Sequence, residues 1–167
     1  MEDGIVNRVE QSGLVQINLD EFYPSGERIS FDLKDGLHEG LILIEKEFRD
    51  FVHQTDWSDY EGKYVHVFCS QDAIIPLWAF MLLTSHLKPV AKKVVMGTRA
   101  DLETAIFNDI FDAHDFSQYD NKNVIVKGCG KHPIPEPVFV EFTNRLQDHA
   151  KKIMFGEACS AVPLFKR

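Results

Sequence analysis

Asp56-Trp57-Ser58-Asp59-Tyr60-Glu61-Gly62-Lys63-Tyr64-Val65-His66-Val67 and Asp115-Phe116-Ser117-Gln118-Tyr119-Asp120-Asn121-Lys122-Asn123-Val124-Ile125-Val126 are two versions of one pattern, 59 residues apart. The match continues without a gap, pairing 56–97 with 115–156, and 15 of the 42 pairs are identical. Average residue usage gives roughly three by chance. The identities include Ile75-Pro76 with Ile134-Pro135, Phe80 with Phe139, Thr84 with Thr143, Leu87 with Leu146, Ala91-Lys92-Lys93 with Ala150-Lys151-Lys152, and Gly97 with Gly156. The chain therefore contains a duplicated unit.

Each copy has a physical reading. Asp-aromatic-Ser-x-Tyr, followed by Glu-Gly or Asp-Asn, is turn chemistry. A β-rich run follows, Tyr64–Cys69 or Asn123–Lys127. Ile-Pro then opens a helix, because a proline in the first turn gives up an N–H that has no partner there. The helices are expected near 76–88 and 135–149, the second with Val138, Phe142 and Leu146 on one face. Lys-Lys leads into a second strand, Val94–Met96 or Ile153–Phe155, closed by glycine. A strand–helix–strand unit of this length predicts parallel pairing through a right-handed crossover. Asp101–Asp112, with Leu102, Ile106 and Ile110 spaced by four, predicts another helix between the copies.

The N-terminal third differs. Val15, Ile17 and Leu19 alternate with polar residues, as do Ile29, Phe31 and Leu33, and Tyr23-Pro24-Ser25-Gly26 lies between them. This predicts an antiparallel hairpin, with Leu41–Ile44 as a third strand and Glu45–His53 as a short helix. The expected fold is a single α/β domain over residues 1–167: an N-terminal hairpin and short helix in 1–55, then a mostly parallel sheet built from the repeats.

The formal net charge of −8 argues against nucleic acid or an anionic membrane as the main partner. The start, Met1-Glu2-Asp3-Gly4, has no hydrophobic run behind it and does not read as a signal peptide. A cytoplasmic location is expected, in which three cysteines are reduced thiols.

Those cysteines carry the functional expectation. Cys69 closes the first strand of one copy, Cys129 follows the first strand of the other, and Cys159 lies three residues past Gly156. All three follow strands, so in one parallel sheet they emerge along its carboxyl edge, where open α/β sheets place ligands. Thiolates suit zinc, copper(I) and iron–sulfur clusters. Cys129-Gly130-Lys131-His132 has Cys-x-x-His spacing, so His132 joins Cys69, Cys129 and Cys159 as a candidate metal ligand. Free cysteine is also a common core residue, and Cys69 aligns with Gly128 rather than with Cys129. His66 aligns with Ile125 inside a strand and reads as packed or hydrogen-bonded, while the lysine pairs read as helix-to-strand junctions. Thr98 reads as a helix cap rather than an anion site. Gln71, Asp72 and Glu136 flank the same edge, where an acid–base role competes with simple capping.

Phe22-Tyr23-Pro24, Asp56-Trp57-Ser58-x-Tyr60, Lys127-Gly128-Cys129, Ile153-Met154-Phe155-Gly156-Glu157 and Cys159-Ser160-Ala161-Val162-Pro163 together resemble an uncharacterised bacterial family of about this length, a domain of unknown function. The resemblance covers essentially the whole chain. It implies a cytosolic bacterial protein, brings no assigned activity or catalytic residue, and is loosely associated with iron–sulfur assembly proteins as partners. Three functions stay open. They are a soft-metal or iron–sulfur binding protein, a thiol-dependent enzyme using Cys129, and a non-catalytic scaffold that forms a homodimer through the hairpin edge.

Overall fold

The computed structural model describes residues 13–167, so the reading of Met1–Gly4 lies outside the described residues. Among these, the strands are β1 (Leu14–Asn18), β2 (Arg28–Asp32), β3 (Tyr64–Phe68), β4 (Lys93–Met96), β5 (Asn123–Lys127), β6 (Lys152–Phe155) and β7 (Val162–Lys166). The helices are α1 (Glu45–Gln54), α2 (Leu77–Leu87), α3 (Arg99–Ala113) and α4 (Glu136–Gln147). The fold is mixed α/β, and both expected βαβ units are present: β3-α2-β4 and β5-α4-β6, each with parallel strands.

The chain divides into two compact units. A continuous unit covers 24–106 and holds the parallel sheet β2-β3-β4. A split unit, 13–23 with 107–167, holds the sheet β1-β5-β6-β7, parallel except for the antiparallel β6-β7 pair. The repeats thus build two sheets rather than one.

The N-terminal hairpin is not formed. β1 pairs in parallel with β5, Val15 beside Val124, and β2 pairs in parallel with β3, Ile29 beside Val65. Period-two alternation shows that a strand is half-buried but does not choose its partner. Each strand here runs into a 3-10 turn, Leu19–Phe22 or Leu33–Gly36, that leads the chain away instead of back. The Asn18 side chain accepts from the Asp20 N–H at 3.1 Å and Asp32 accepts from the Lys34 N–H at 3.1 Å. These strand–turn segments are themselves copies, 14 residues apart in sequence, with Val15/Ile29, Ile17/Phe31 and Leu19/Leu33 in matching places. Leu41–Ile44 forms no strand, only a single antiparallel bridge between His38 and Ile42.

The duplication also extends upstream of 56. Shifting α1 by 59 lays it on the second half of α3, with Phe48 on Phe107, and both rings are fully buried. The Asp-x-Ser-x-Tyr motif is a capped 3-10 turn in both copies: Asp56 accepts from the Ser58 N–H, and Asp115 from the Ser117 N–H, each at 3.0 Å. Gly62 (φ 68°) aligns with Asn121 (φ 58°), and asparagine tolerates the left-handed region best after glycine. Each unit has its own core. Phe48, Val65, Leu83 and Leu87 centre the continuous unit, and Phe107, Val124, Phe142 and Leu146 centre the split one.

Structural roles assigned from the repeat are found. His66 Nδ1 lies 3.1 Å from the Gly97 carbonyl and its ring stacks on Phe68. The Lys92 ammonium lies 4.7 Å above the Tyr64 ring, a cation–π contact that the sequence did not point to. No helix among the described residues is long and apolar enough to cross a membrane.

Candidate thiol–histidine site

All three cysteines follow strands, but the strands belong to different sheets. Cys69 follows β3 in the continuous unit, whereas Cys129 follows β5 and Cys159 follows β6 in the split unit. The single carboxyl edge expected from one sheet is two edges. All three are free thiols, Cys69 half-buried against its core and the other two exposed.

The split unit has a cavity of about 360 Å³ at the carboxyl ends of β1 and β5. Asn18, Leu19, Cys129, Gly130, His132 and Phe139 line it, so the structure brings Cys129 and His132 to one cavity. Cys159 is not among its lining residues. Cys69 lines a cavity of about 330 Å³ in the continuous unit, with Gln71, Ala73, Ile75 and Phe80. Through the 59-residue shift these are Gly128, Gly130, His132, Ile134 and Phe139, so the two cavities are the same place in the two copies. The residues at the Cys129 and His132 positions are Ser70 and Ala73. Only the split copy holds a thiol and an imidazole together there. Among the described residues, no three His, Cys, Asp or Glu side chains gather around one point in a way that could hold a metal ion.

Asp20 completes the constellation, and sequence reasoning missed it. It sits in the 3-10 turn after β1 and takes hydrogen bonds from the backbone N–H groups of Lys131 and His132, the latter at 3.1 Å. Its Oδ1 is also 3.3 Å from His132 Nδ1. The Lys131 N–H is the main reason that its pKa lies below the ordinary carboxylate value. Partial burial opposes the shift, and the His132 N–H and imidazole add to it. An ionised carboxylate can only accept hydrogen bonds, so its place beside Nδ1 favours the tautomer with the proton on that nitrogen and the lone pair on Nε2. Tyr23 stacks on the face of the ring, with centroids 3.9 Å apart and planes 7° from parallel. Asp20 lies 111 residues from Lys131, and no local motif linked the two.

The glycines around Cys129 are needed for close approach. A Cβ on Gly130 would stand 2.5 Å from Asp20 Cγ, and one on Gly128 would press into the Phe155 ring. The other candidates resolve simply. Thr98 and Asp101 cap α3 reciprocally: the Thr98 hydroxyl donates to Asp101 Oδ2 at 2.7 Å, and the Asp101 N–H donates to the Thr98 hydroxyl at 3.2 Å. The Asp101 carboxylate thereby fills the place an anion would take. Gln71, Asp72 and Glu136 are exposed at loop and helix-start positions.

Searches of the curated proteins and of the solved structures find no match to this chain. A family model matches residues 3–167, and the chain belongs to the family described as Protein of unknown function (DUF2480).

Proposed function

We propose that the chain is a thiol-dependent enzyme acting in the cavity of the split unit, with Cys129 as nucleophile, His132 as general base and Asp20 as a positioning residue. The observation that carries this reading is the Asp20–His132 pair, whose histidine lines the same cavity as Cys129. A carboxylate on Nδ1 leaves Nε2 as the basic nitrogen and supports the imidazolium that forms when a thiol proton arrives, which is the logic of nucleophile–base–orienter sites. In the step this implies, His132 Nε2 takes the Cys129 proton and the thiolate sulfur bonds to an electrophilic carbon of the substrate. The leaving group then departs with its bonding electrons and receives that proton from the imidazolium. A reducing, cytoplasm-like compartment fits a mechanism that needs Cys129 free.

The test is the rate at which Cys129 is alkylated by iodoacetamide near neutral pH, with Cys159 as an internal exposed reference. Cys129 reacts faster than Cys159, and His132→Asn removes the difference. Equal rates in the unaltered chain count against the reading.

The same pair favours one second reading. A carboxylate on the far nitrogen is also how metal-bound histidines are held, so Cys129 and His132 could contribute two ligands to zinc or another soft ion, and an iron–sulfur intermediate handed over by assembly proteins would be its cargo form. Metal analysis of anaerobically purified protein separates the two readings. Stoichiometric metal that is lost in Cys129→Ser supports the second.

A further inference from the structure

The loop that carries Cys129 is anchored differently from its copy. In the continuous unit Asp32 ends β2, and its Oδ1 takes two backbone N–H groups, that of Lys34 at 3.1 Å and that of Ser70 at 3.0 Å. Ser70 is the counterpart of Cys129, and Asp32, through the 14-residue shift, is the counterpart of Asn18. The side chain at the strand end thus reaches the N–H at the Cys129 position in that copy. In the split unit Asn18 Oδ1 takes only the Asp20 N–H, at 3.1 Å. The loop is held further on, by Asp20, through the N–H groups of Lys131 and His132. Lys34 stands in the place of Asp20 in the other copy, and an ammonium accepts no hydrogen bond.

This exchange leaves two donors over. Asn18 Oδ1 is identified by the N–H it accepts, so the amide nitrogen Nδ2 is the other branch, and it has no hydrogen-bond partner among the described residues. The Cys129 N–H has none there either. Asn18, half-buried, and Cys129 line the same cavity. Two donors cannot satisfy each other, so a group that satisfies both is an acceptor. Where the continuous copy has a carboxylate, the split copy has a neutral carboxamide. A carboxylate at position 18 would repel negative charge developing beside Cys129, whereas the carboxamide donates to it.

We infer that Asn18 Nδ2 and the Cys129 N–H bind the carbonyl oxygen of an acyl substrate, one whose acyl carbon carries a good leaving group. The inference rests on the thiol-enzyme reading and gives it a substrate class. The Cys129 sulfur bonds to the acyl carbon, and the carbon–oxygen π pair moves onto the oxygen, where the two N–H groups hold the negative charge. As that pair returns, the leaving group departs with its bonding electrons and takes the proton that His132 received from the thiol. Cys129 is left as a thioester, which water hydrolyses. His132 Nε2 takes a proton from the water as its oxygen bonds to the acyl carbon, and gives that proton to the departing sulfur. Leu19, Ile134 and Phe139 supply apolar lining, which suits a short hydrocarbon acyl group.

The test sets ester cleavage beside alkylation. Cys129-dependent release of p-nitrophenolate from p-nitrophenyl acetate is measured against Cys129→Ser as background. Iodoacetamide is attacked at a saturated carbon, which builds no oxyanion, so its rate at Cys129 reads the thiol and His132 without this pair. Asn18→Ser keeps a side-chain oxygen to cap the turn but removes Nδ2. It slows ester cleavage about 100-fold, the effect of one lost oxyanion donor, and leaves the alkylation rate unchanged. A second readout uses the unaltered chain: acetaldehyde adds to the Cys129 thiol as a hemithioacetal, and the Asn18 side-chain and Cys129 backbone amide proton signals move downfield. Fast alkylation with ester cleavage that is absent, or indifferent to Asn18→Ser, overturns this inference and leaves the thiol-enzyme reading standing. So does an aldehyde adduct that leaves both amide signals in place. Cleavage and alkylation that fall together in Asn18→Ser also overturn it, since Asn18 then acts through the thiol. Alkylation in the unaltered chain no faster than at Cys159 overturns the thiol-enzyme reading and this inference with it.

Discussion

Phe142→Ala is the sharpest test of the packing account. Phe142 is fully buried in the core of the split unit, on the inner face of α4. Its ring meets Phe111 at 5.2 Å, Phe116 at 5.4 Å and Phe22 at 5.9 Å. Truncating a buried phenylalanine to alanine costs about 3–5 kcal/mol. Aromatic pairs contribute beyond area burial, which puts this site in the upper part of that range, about 4–5 kcal/mol. For a chain of this size that is a fall in Tm of about 8–20 °C. Urea denaturation followed by far-UV circular dichroism is the suitable assay. Trp57 and Trp78, the chain's two tryptophans, both lie in the continuous unit, so their fluorescence does not report directly on this core. Leu83 is the repeat counterpart of Phe142 and is equally buried; Leu83→Ala costs about 2–5 kcal/mol. The two residues belong to separate clusters, so the double variant is additive within about 0.5 kcal/mol. A loss below about 1.5 kcal/mol for Phe142→Ala would refute the core assignment, since that is the range of a surface or easily refilled site.

Further outcomes follow from the same geometry. Burial holds the His114 pKa below its ordinary 6.5, with Asp115 partly opposing. The unfolded chain therefore takes up this proton at higher pH than the folded chain, and the stability contributed by neutral His114 is present above pH 6.5 and lost as pH falls below it through the folded value. Urea midpoints measured across that range decline toward acid, and His114→Gln flattens the decline; an unchanged slope in that variant counts against it. Gly130→Ala drives a methyl into the Asp20 carboxylate. It reduces Cys129 alkylation to the Cys159 rate while the circular dichroism spectrum stays native, and a rate that remains fast would mean that Asp20 does not position His132.

Much of the fold was legible because it is written twice. The repeat located both βαβ units, and its Ile-Pro pairs placed the helix starts close to Leu77 and Glu136. Strand partners were not legible. β1 and β2 carry the alternation of any half-buried strand, and nothing local says that they lie in different sheets. β7 gave no signal because it is an edge strand with Pro163 inside it and with Val162 and Leu164 more than half exposed. Of the site, Cys129 and His132 were visible as Cys-x-x-His. The expected grouping of Cys69 with them rested on a single sheet, and the two-sheet topology removes that premise. Asp20 was invisible, because it reaches His132 through a pairing of β1 with β5 more than 100 residues away in sequence.

The central claim is that Asp20 holds His132 with its basic nitrogen available to Cys129. The 15N chemical shifts of the His132 imidazole measure this directly. The account predicts that the neutral ring is protonated at Nδ1, and that Asp20→Asn shifts the population toward the Nε2-protonated form. A ring already protonated at Nε2 in the unaltered chain, and insensitive to Asp20→Asn, would contradict it.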